Sequence, residues 1–199
     1  MKKLLAALLI FSFALSSCKK NKSADNEDFP YYFSATINGA EVKYVADDLN
    51  SQYECGVSSP YFALGDDYDI YEGTFIQDGN DNTKKNIYVH FLKYFDHEPD
   101  FDERVAMVSK GNYTYGESQG SSSTINGASI MYTDAIGKEW FSEGGSQAGS
   151  SFTVTELETN SSGTSLKLFK ATFSCKLYDG AGGSIQVNNA VIRGKLLIP

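Results

Sequence analysis

Short apolar segments that alternate with polar residues fill the chain from Phe29 onward. These segments are rich in Tyr, Phe, Val, Ile and Thr, and clusters of Gly, Asn, Asp and Ser separate them. Such a pattern is typical of β-strands joined by turns. The first two runs meet at Asn38-Gly39, where both residues tolerate the positive φ angles of a type I′ hairpin. The pattern predicts further strands over residues 61–64, 70–77, 86–95, 112–115, 128–133, 138–142, 151–157, 165–178 and 184–198.

The last two predicted strands show the clearest alternation. One side of the first of them carries Phe169, Ala171, Phe173, Cys175 and Leu177. The residues between these are mostly polar, so we expect one face in the core and the other in solvent. The segment GAGG turns the chain, and the final strand is expected to pair back with bulges at Asn188-Asn189 and Gly194.

The arrangement of strands predicts the fold class. No long segment has the period of a helix, although residues 102–110 fit either one or two helical turns or a short strand. Many short strands within one domain, residues 29–199, indicate an all-β fold. We expect an antiparallel β-sandwich, with a calycin-like β-barrel as the alternative.

The first residues follow a different pattern. Lys2 and Lys3 precede an apolar run over residues 4–15, which has the length of a secretory signal and is too short to span a bilayer. The run ends in Leu15-Ser16-Ser17-Cys18, which resembles the bacterial lipobox. The resemblance implies that residues 1–17 are a signal peptide, and that Cys18 is lipidated through a thioether and N-acylated.

The segment after the lipobox is a polar tether. Residues 18–28 contain no apolar side chain beyond Cys18 and Ala24, so they cannot pack against a core.

Loss of Lys2 and Lys3 with the signal peptide takes the formal charge of the protein from −8 to −10. This acidic balance argues against nucleic acid as a partner, whereas lipid at Cys18 binds a membrane without a basic patch. We expect a protein anchored to the outer membrane, on its periplasmic or outer face.

The chain offers few groups for catalysis or metal binding. Its only histidines are His90 and His97, and it contains no H-E-x-x-H, G-x-S-x-G or metal-type cysteine pair. The segment DGNDNT, residues 78–83, resembles the start of a calcium loop, but Thr83 and Val89 stand where Gly and Glu belong. We therefore interpret it as a β-turn.

The acidic run of residues 95–103 could bind a cation, but a solvated loop is the preferred interpretation. We predict no catalytic residues, no metal and no cofactor.

Aromatic residues allow two interpretations. Trp140 follows the turn at residues 135–137, so it is either a platform at a loop end for flat ligands such as sugars or an anchor in the core. We favour the core. Tyr31 and Tyr32 are expected to cover the edge of the domain.

Two cysteines remain after lipidation, Cys55 and Cys175. Alternation places Cys175 on the apolar face of its strand, and Cys55 on the same side as Tyr53 and Val57. Because disulfides persist in exported proteins, we predict a bond between the two. The alternative is two separate buried thiols that pack as small apolar groups.

Several segments together resemble a family. The lipobox, FSATINGAEVKY, GNYTYG, IMYTDAIGKEWFS and the closing KATFSCKLYDGAGGSIQVNNAVIRGKL are similar to motifs of small uncharacterised lipoproteins of Bacteroidota. The resemblance implies an all-β extracytoplasmic domain of unassigned activity, and it brings no catalytic residues.

These observations favour a non-enzymatic binding or interaction module with a glycan or protein ligand. One alternative is a hydrolase of extracellular glycans that uses loop carboxylates, which predicts a deep cleft with two close acids. Another is a structural subunit of a surface assembly, which predicts an unpaired edge strand.

Overall fold

The computed structural model describes residues 31–46, 52–159 and 166–197. The predicted signal peptide, the lipidation site Cys18 and the tether lie outside these residues. In chain order the elements are β1 (Tyr31–Ile37), β2 (Ala40–Ala46), β3 (Tyr53–Ser58), β4 (Tyr61–Leu64), β5 (Asp67–Asp78), β6 (Asn86–Phe95), α1 (Phe101–Val105), β7 (Gly111–Tyr113), β8 (Gly127–Thr133), β9 (Glu139–Phe141), β10 (Ser151–Thr159), β11 (Leu166–Tyr178) and β12 (Ser184–Leu197).

Nine of the strands form a closed ring. The order around it is β12-β1-β2-β3-β5-β6-β8-β9-β11, and β11 pairs with β12 to close it. Strands β10 and β7 extend from β11, and β4 pairs with β5. The all-β prediction is confirmed, and the closed ring fits the calycin-like barrel alternative better than a sandwich of two sheets.

Two local predictions about backbone geometry are confirmed. Asn38 and Gly39 have φ angles of 48° and 83°, as a type I′ turn between β1 and β2 requires. The register between β11 and β12 shifts opposite Asn188-Asn189, and Asn189 has a φ of 51°, so a bulge lies there. Gly194 instead pairs regularly with Phe169.

Gly194 therefore has another role than the predicted bulge. A Cβ atom at this position would lie 2.7 Å from the Thr74 hydroxyl oxygen, which is closer than van der Waals contact allows. The glycine lets β12 pass close to Thr74 on the inward face of β5.

Apolar side chains fill the interior of the barrel. The alternate residues of β11 that were predicted to face the core are all buried. Phe91 contacts Phe152 and Phe169 edge to face, with ring centroids 5.7 and 5.8 Å apart, a geometry that aromatic pairs prefer. Tyr32 is buried and Tyr31 is partly buried, but their strand β1 pairs with β12 on one side and β2 on the other, so it is not at an edge of the sheet.

The single helix of the described chain comes from the acidic run. Asp100 accepts a hydrogen bond from the backbone of Glu103, and Glu103 accepts one from the backbone of Asp100, both at 3.0 Å. This reciprocal capping box satisfies two amide groups at the helix start, so a helical turn forms where the sequence left helix and strand open.

Candidate functional site

The segment DGNDNT forms the connection between β5 and β6, as the turn interpretation predicted. Asp78 accepts a hydrogen bond from Gln52 Nε2 at 2.5 Å and from the backbone of Asn80 at 3.0 Å. Hydrogen bonds from Thr83 lower the pKa of Asp81 to about 2. The carboxylates of this turn thus bind groups of the turn and its surroundings.

The acidic run of residues 95–103 has a similar internal arrangement. The two ring nitrogens of His97 lie 2.9 Å from carboxylate oxygens of Asp96 and Glu103, and these bonds raise the pKa of His97. Asp100 caps α1. In the part of the chain that the structure describes, no cluster of three or more His, Cys, Asp or Glu side chains has the geometry of a metal site.

Cys55 and Cys175 do not form the predicted disulfide bond. Both side chains face the core, as their alternation predicted. They lie at different levels of the barrel, however: the Cys55 sulfur is 3.5 Å from the Thr74 hydroxyl, and Thr74 packs against Gly194. Cys175 pairs with Val187, which is roughly 20 Å from Gly194 along an extended strand. A disulfide needs Cα atoms within about 7 Å, so the two cysteines are too far apart to form one. The alternation pattern predicted the buried face of each cysteine correctly, but the predicted bond between them is wrong.

Two carboxylates meet on the outer face of the barrel. The Ser118 hydroxyl donates to Asp69 at 2.5 Å, and the Ser118 amide donates to Glu143 at 3.1 Å. The Gly120 amide and the Thr124 hydroxyl also donate to Asp69. Asp69 is only 1% exposed. The two acids therefore attach a covering segment to the wall, and they do not border an open cleft.

His90 is buried beside this cluster. Its Nε2 atom lies 3.0 Å from the Ser58 hydroxyl, and its ring contacts those of Tyr71 and Tyr88 at centroid distances of 5.8 and 5.9 Å. Burial lowers the pKa of His90 to about 4 and raises the pKa of Tyr71 to about 12. The imidazole is therefore neutral at physiological pH.

Acid is expected to destabilise the domain through His90. The folded protein holds this pKa at about 4, whereas the ordinary value is 6.5, so the unfolded chain binds the proton first as the pH falls. The stability contributed by neutral His90 is present above pH 6.5 and is lost as the pH approaches 4. The loss amounts to roughly 3 kcal/mol. Urea unfolding at pH 7 and pH 4.5 should show a smaller pH-dependent loss for His90→Gln than for the wild type.

The matched control for His90 is His97→Gln, which changes an exposed histidine. This variant should retain the acid sensitivity that comes from His90. If the wild type and His90→Gln lost the same stability between pH 7 and pH 4.5, His90 would not be the source of the acid sensitivity.

Trp140 lies at the rim of the barrel, partly in the core and partly in a groove. Its Nε1 donates to Asp134 at 3.3 Å, and the Lys138 ammonium lies 4.2 Å from the ring centroid. The ring also packs against the core. The Trp140 groove has a volume of about 400 Å³. Its other apolar walls are Ile37, Ala40, Val42, Tyr132, Ala135, Ile136 and Ile185.

A second concave site lies at the other end of β6. Ile87, near the start of β6, pairs with Tyr132 of the Trp140 groove, and Phe95, at its end, pairs with Tyr68. The second site, which we call the Arg104 pocket, has a volume of about 280 Å³. It is lined by Tyr61, Ala63, Tyr68, Ile70, Glu98, Pro99 and Arg104.

A buried ion pair supports the Arg104 pocket. Arg104 Nε donates to Glu72 Oε1 at 2.7 Å, and Nη2 contacts the same oxygen. The Ser59 hydroxyl donates to the other Glu72 oxygen at 2.5 Å. Glu72 is 3% exposed and lies on the inward face of β5. Because an isolated charge there would cost several kcal/mol, the ion pair with Glu72 holds the guanidinium in place at the wall of the pocket.

Glu72 and Arg104 were not predicted as site residues from the sequence. The sequence did contain one signal for Glu72. It is a charged residue in the strand predicted over residues 70–77, at a position that shares its side with Ile70 and Thr74. Arg104 stands 32 positions later, in a segment that was open between helix and strand, so its partner was not evident.

Comparison of the chain with known protein families, curated proteins and solved structures finds no match in any of the three. Within residues 31–46, 52–159 and 166–197, no helix combines the length and the apolar character needed to cross a bilayer. The choice of a functional site therefore depends on geometry. We take the Arg104 pocket as the candidate because it combines aromatic walls with a buried ionic pair at the same place.

Proposed function

We propose that the protein is a non-enzymatic binding module, anchored by lipid at Cys18 to the outer membrane, that binds part of its ligand in the Arg104 pocket. The closed ring supports the further proposal of a calycin-like barrel with its ligand site at one open end. The interior is filled with side chains, so the ligand is held at the rim and not inside the barrel.

The observation that carries this proposal is the ion pair between Arg104 and Glu72 beneath aromatic walls. A buried ion pair contributes little net stability compared with apolar residues of the same volume. It does fix the position of a planar guanidinium in the wall of the pocket. Tyr61, which is 67% exposed, and Tyr68 add surfaces on which a flat or aliphatic group can pack.

The arrangement of acids favours binding over glycan hydrolysis. Hydrolysis needs two carboxyl groups on opposite sides of the scissile bond, about 5 to 9 Å apart. Of the described residues that line the Arg104 pocket, Glu98 is the single carboxylate. The acids Asp69 and Glu143 share Ser118, but Asp69 lies beneath a covering segment.

An observation also favours interaction with another protein. The alternative of an assembly subunit predicts an edge strand, and β4 pairs with β5 alone among the described strands. A binding module and an assembly subunit therefore share the same part of the barrel, where β4 borders the Arg104 pocket.

Binding is expected to depend on Tyr61. The full mature protein in detergent would be applied to arrays of glycans and of peptides, and dissociation constants measured for the ligands that bind. Loss of one exposed aromatic wall in Tyr61→Ala should weaken binding about tenfold. Phe141→Ala, which removes an exposed aromatic side chain elsewhere, should leave the affinity unchanged. Unchanged affinity in Tyr61→Ala together with a loss in Trp140→Ala would move the site to the Trp140 groove and contradict the proposal.

A further inference from the structure

One edge of β4 has no partner strand among the described residues. The strand pairs with β5 from Tyr61 opposite Ile70 to Leu64 opposite Asp67. The Tyr71 amide donates to the Pro60 carbonyl at 3.0 Å. Because hydrogen-bonding direction alternates along an antiparallel strand, Pro60 and every second residue after it bond to β5. The backbone N–H and C=O groups of Tyr61 and Ala63 therefore face the open edge.

The side chains of β4 are exposed and apolar. Tyr61, Phe62 and Leu64 are 67%, 51% and 63% exposed. Natural edge strands are usually protected by charged residues, proline, bulges or a covering segment, and β4 itself has no charged side chain. An exposed, apolar edge of this kind is the feature to which another extended chain can add.

The two faces of β4 differ in their surroundings. Tyr61 and Ala63 line the Arg104 pocket. Phe62 and Leu64 point to the opposite face, where the Phe62 ring lies against Gly120. A strand added to this edge would alternate in the same way, with every second side chain over the pocket and the others beside Phe62 and Leu64.

We propose that β4 binds an extended segment of a partner protein, with lysine side chains over the Arg104 pocket and apolar side chains on the opposite face. This inference rests on the proposed function, because it names the ligand of the same pocket.

Charge determines which side chain suits the pocket. The charge of Arg104 is balanced by Glu72, which leaves Glu98 as the acidic group of the lining. A lysine can lay its methylene groups along Tyr61 and Tyr68 while its ammonium reaches Glu98. Asp66 in the β4–β5 turn and Asp67 at the start of β5 add further negative charge near the end of β4.

The same charges make a second copy of this chain an unfavourable partner. Formal charge on the mature chain is −10 after loss of Lys2 and Lys3. The net negative charge on each copy opposes the pairing of two β4 strands. A basic, extended segment satisfies both the backbone edge and the electrostatics.

Synthetic decapeptides test the inference on the full mature protein in detergent. Fluorescence anisotropy would compare a peptide of alternating valine and lysine with its valine and glutamate counterpart. A third peptide keeps the valine and lysine side chains but carries N-methyl groups on the amides of one edge. We expect the lysine peptide to bind, and the glutamate and N-methylated peptides to bind at least about tenfold more weakly.

A matched pair of variants tests the edge of the protein. Ala63→Pro removes an amide that faces the open edge and leaves the bonds to β5 in place, whereas Ala63→Val keeps this amide. Ala63→Pro should weaken binding of the lysine peptide about tenfold relative to Ala63→Val, which changes the same position of the pocket wall but keeps the amide. The melting temperatures of both variants show whether folding is retained, and the N-methylated peptide gives the same test without a change in the protein.

The outcomes separate the two proposals. Binding that is lost in Tyr61→Ala but is insensitive to N-methylation would overturn strand addition and leave the Arg104 pocket as the site. Binding of glycans alone in this pocket would overturn the peptide partner in the same way. Self-association through β4 in sedimentation experiments would overturn it in favour of a second copy. Peptide binding that is unaffected by Tyr61→Ala would overturn both proposals.

Discussion

Substitution of Cys18 by alanine is expected to prevent lipidation and to release the protein from the membrane. The apolar run over residues 4–15 precedes the predicted cleavage site and is too short to span a bilayer of about 30 Å. Lipid at Cys18 is therefore the proposed anchor. A single acyl chain gives only marginal binding, whereas several chains on one cysteine give stable anchoring.

Cell fractionation with a labelled fatty acid measures this effect. The wild type should be labelled and should sediment with membranes, whereas Cys18→Ala should be unlabelled and soluble. Cys55→Ala is the matched control, because it removes a cysteine within the barrel and should remain labelled and bound. An unlabelled Cys18→Ala protein that still sediments with membranes would contradict the lipoprotein proposal.

The sequence was informative where structure depends on local alternation. Strands β4 and β6 have the predicted bounds, and β11 buries the predicted face, because period-two patterning is a property of consecutive residues. The capping box of Asp100 and Glu103 is equally local, but it was not recognised in the sequence, where the segment was left open between helix and strand. Such features need no knowledge of partners, so they can be read directly from the chain.

Ring closure could not be read in this way. Strand β12 pairs with both β1 and β11, and the first of these pairings joins opposite ends of the described chain. A sandwich and a barrel can present the same alternation within each strand and differ only in which edges meet. Strand β3, with its half-buried side chains, was not predicted as a strand because its alternation is weak.

The candidate site was hidden for a related reason. Glu72 alone is a charged residue in a strand, and Arg104 alone is a basic residue in an undecided segment. The two residues are 32 positions apart in the sequence, and only the fold brings them into contact. This contact compensates the cost of burying the charge of Glu72. The predicted disulfide was wrong for the same reason. Alternation predicts which face of a strand a cysteine lies on, but it does not predict the position of that cysteine along the barrel axis.

Removal of the Arg104 side chain is therefore expected to destabilise the domain strongly. In Arg104→Ala, Glu72, which is 3% exposed in the wild type, would keep the Ser59 hydroxyl as its one side-chain hydrogen-bond donor among the described residues. Breaking a buried ion pair at one partner typically costs about 3 to 5 kcal/mol. We expect about 3 kcal/mol here, since the Arg104 side chain is 29% exposed and water can reach the site once it is removed.

Urea unfolding of a double-mutant cycle tests this expectation. Glu72→Leu combined with Arg104→Ala removes both charges, so the double variant should be more stable than Arg104→Ala alone. Arg104→Lys keeps the charge but not the two-donor geometry, and should cost about 1 kcal/mol. A loss below about 0.5 kcal/mol in Arg104→Ala, as for an exposed surface pair, would mean that Glu72 does not depend on this guanidinium. The wall of the Arg104 pocket would then not be held by the ion pair that carries its proposed function.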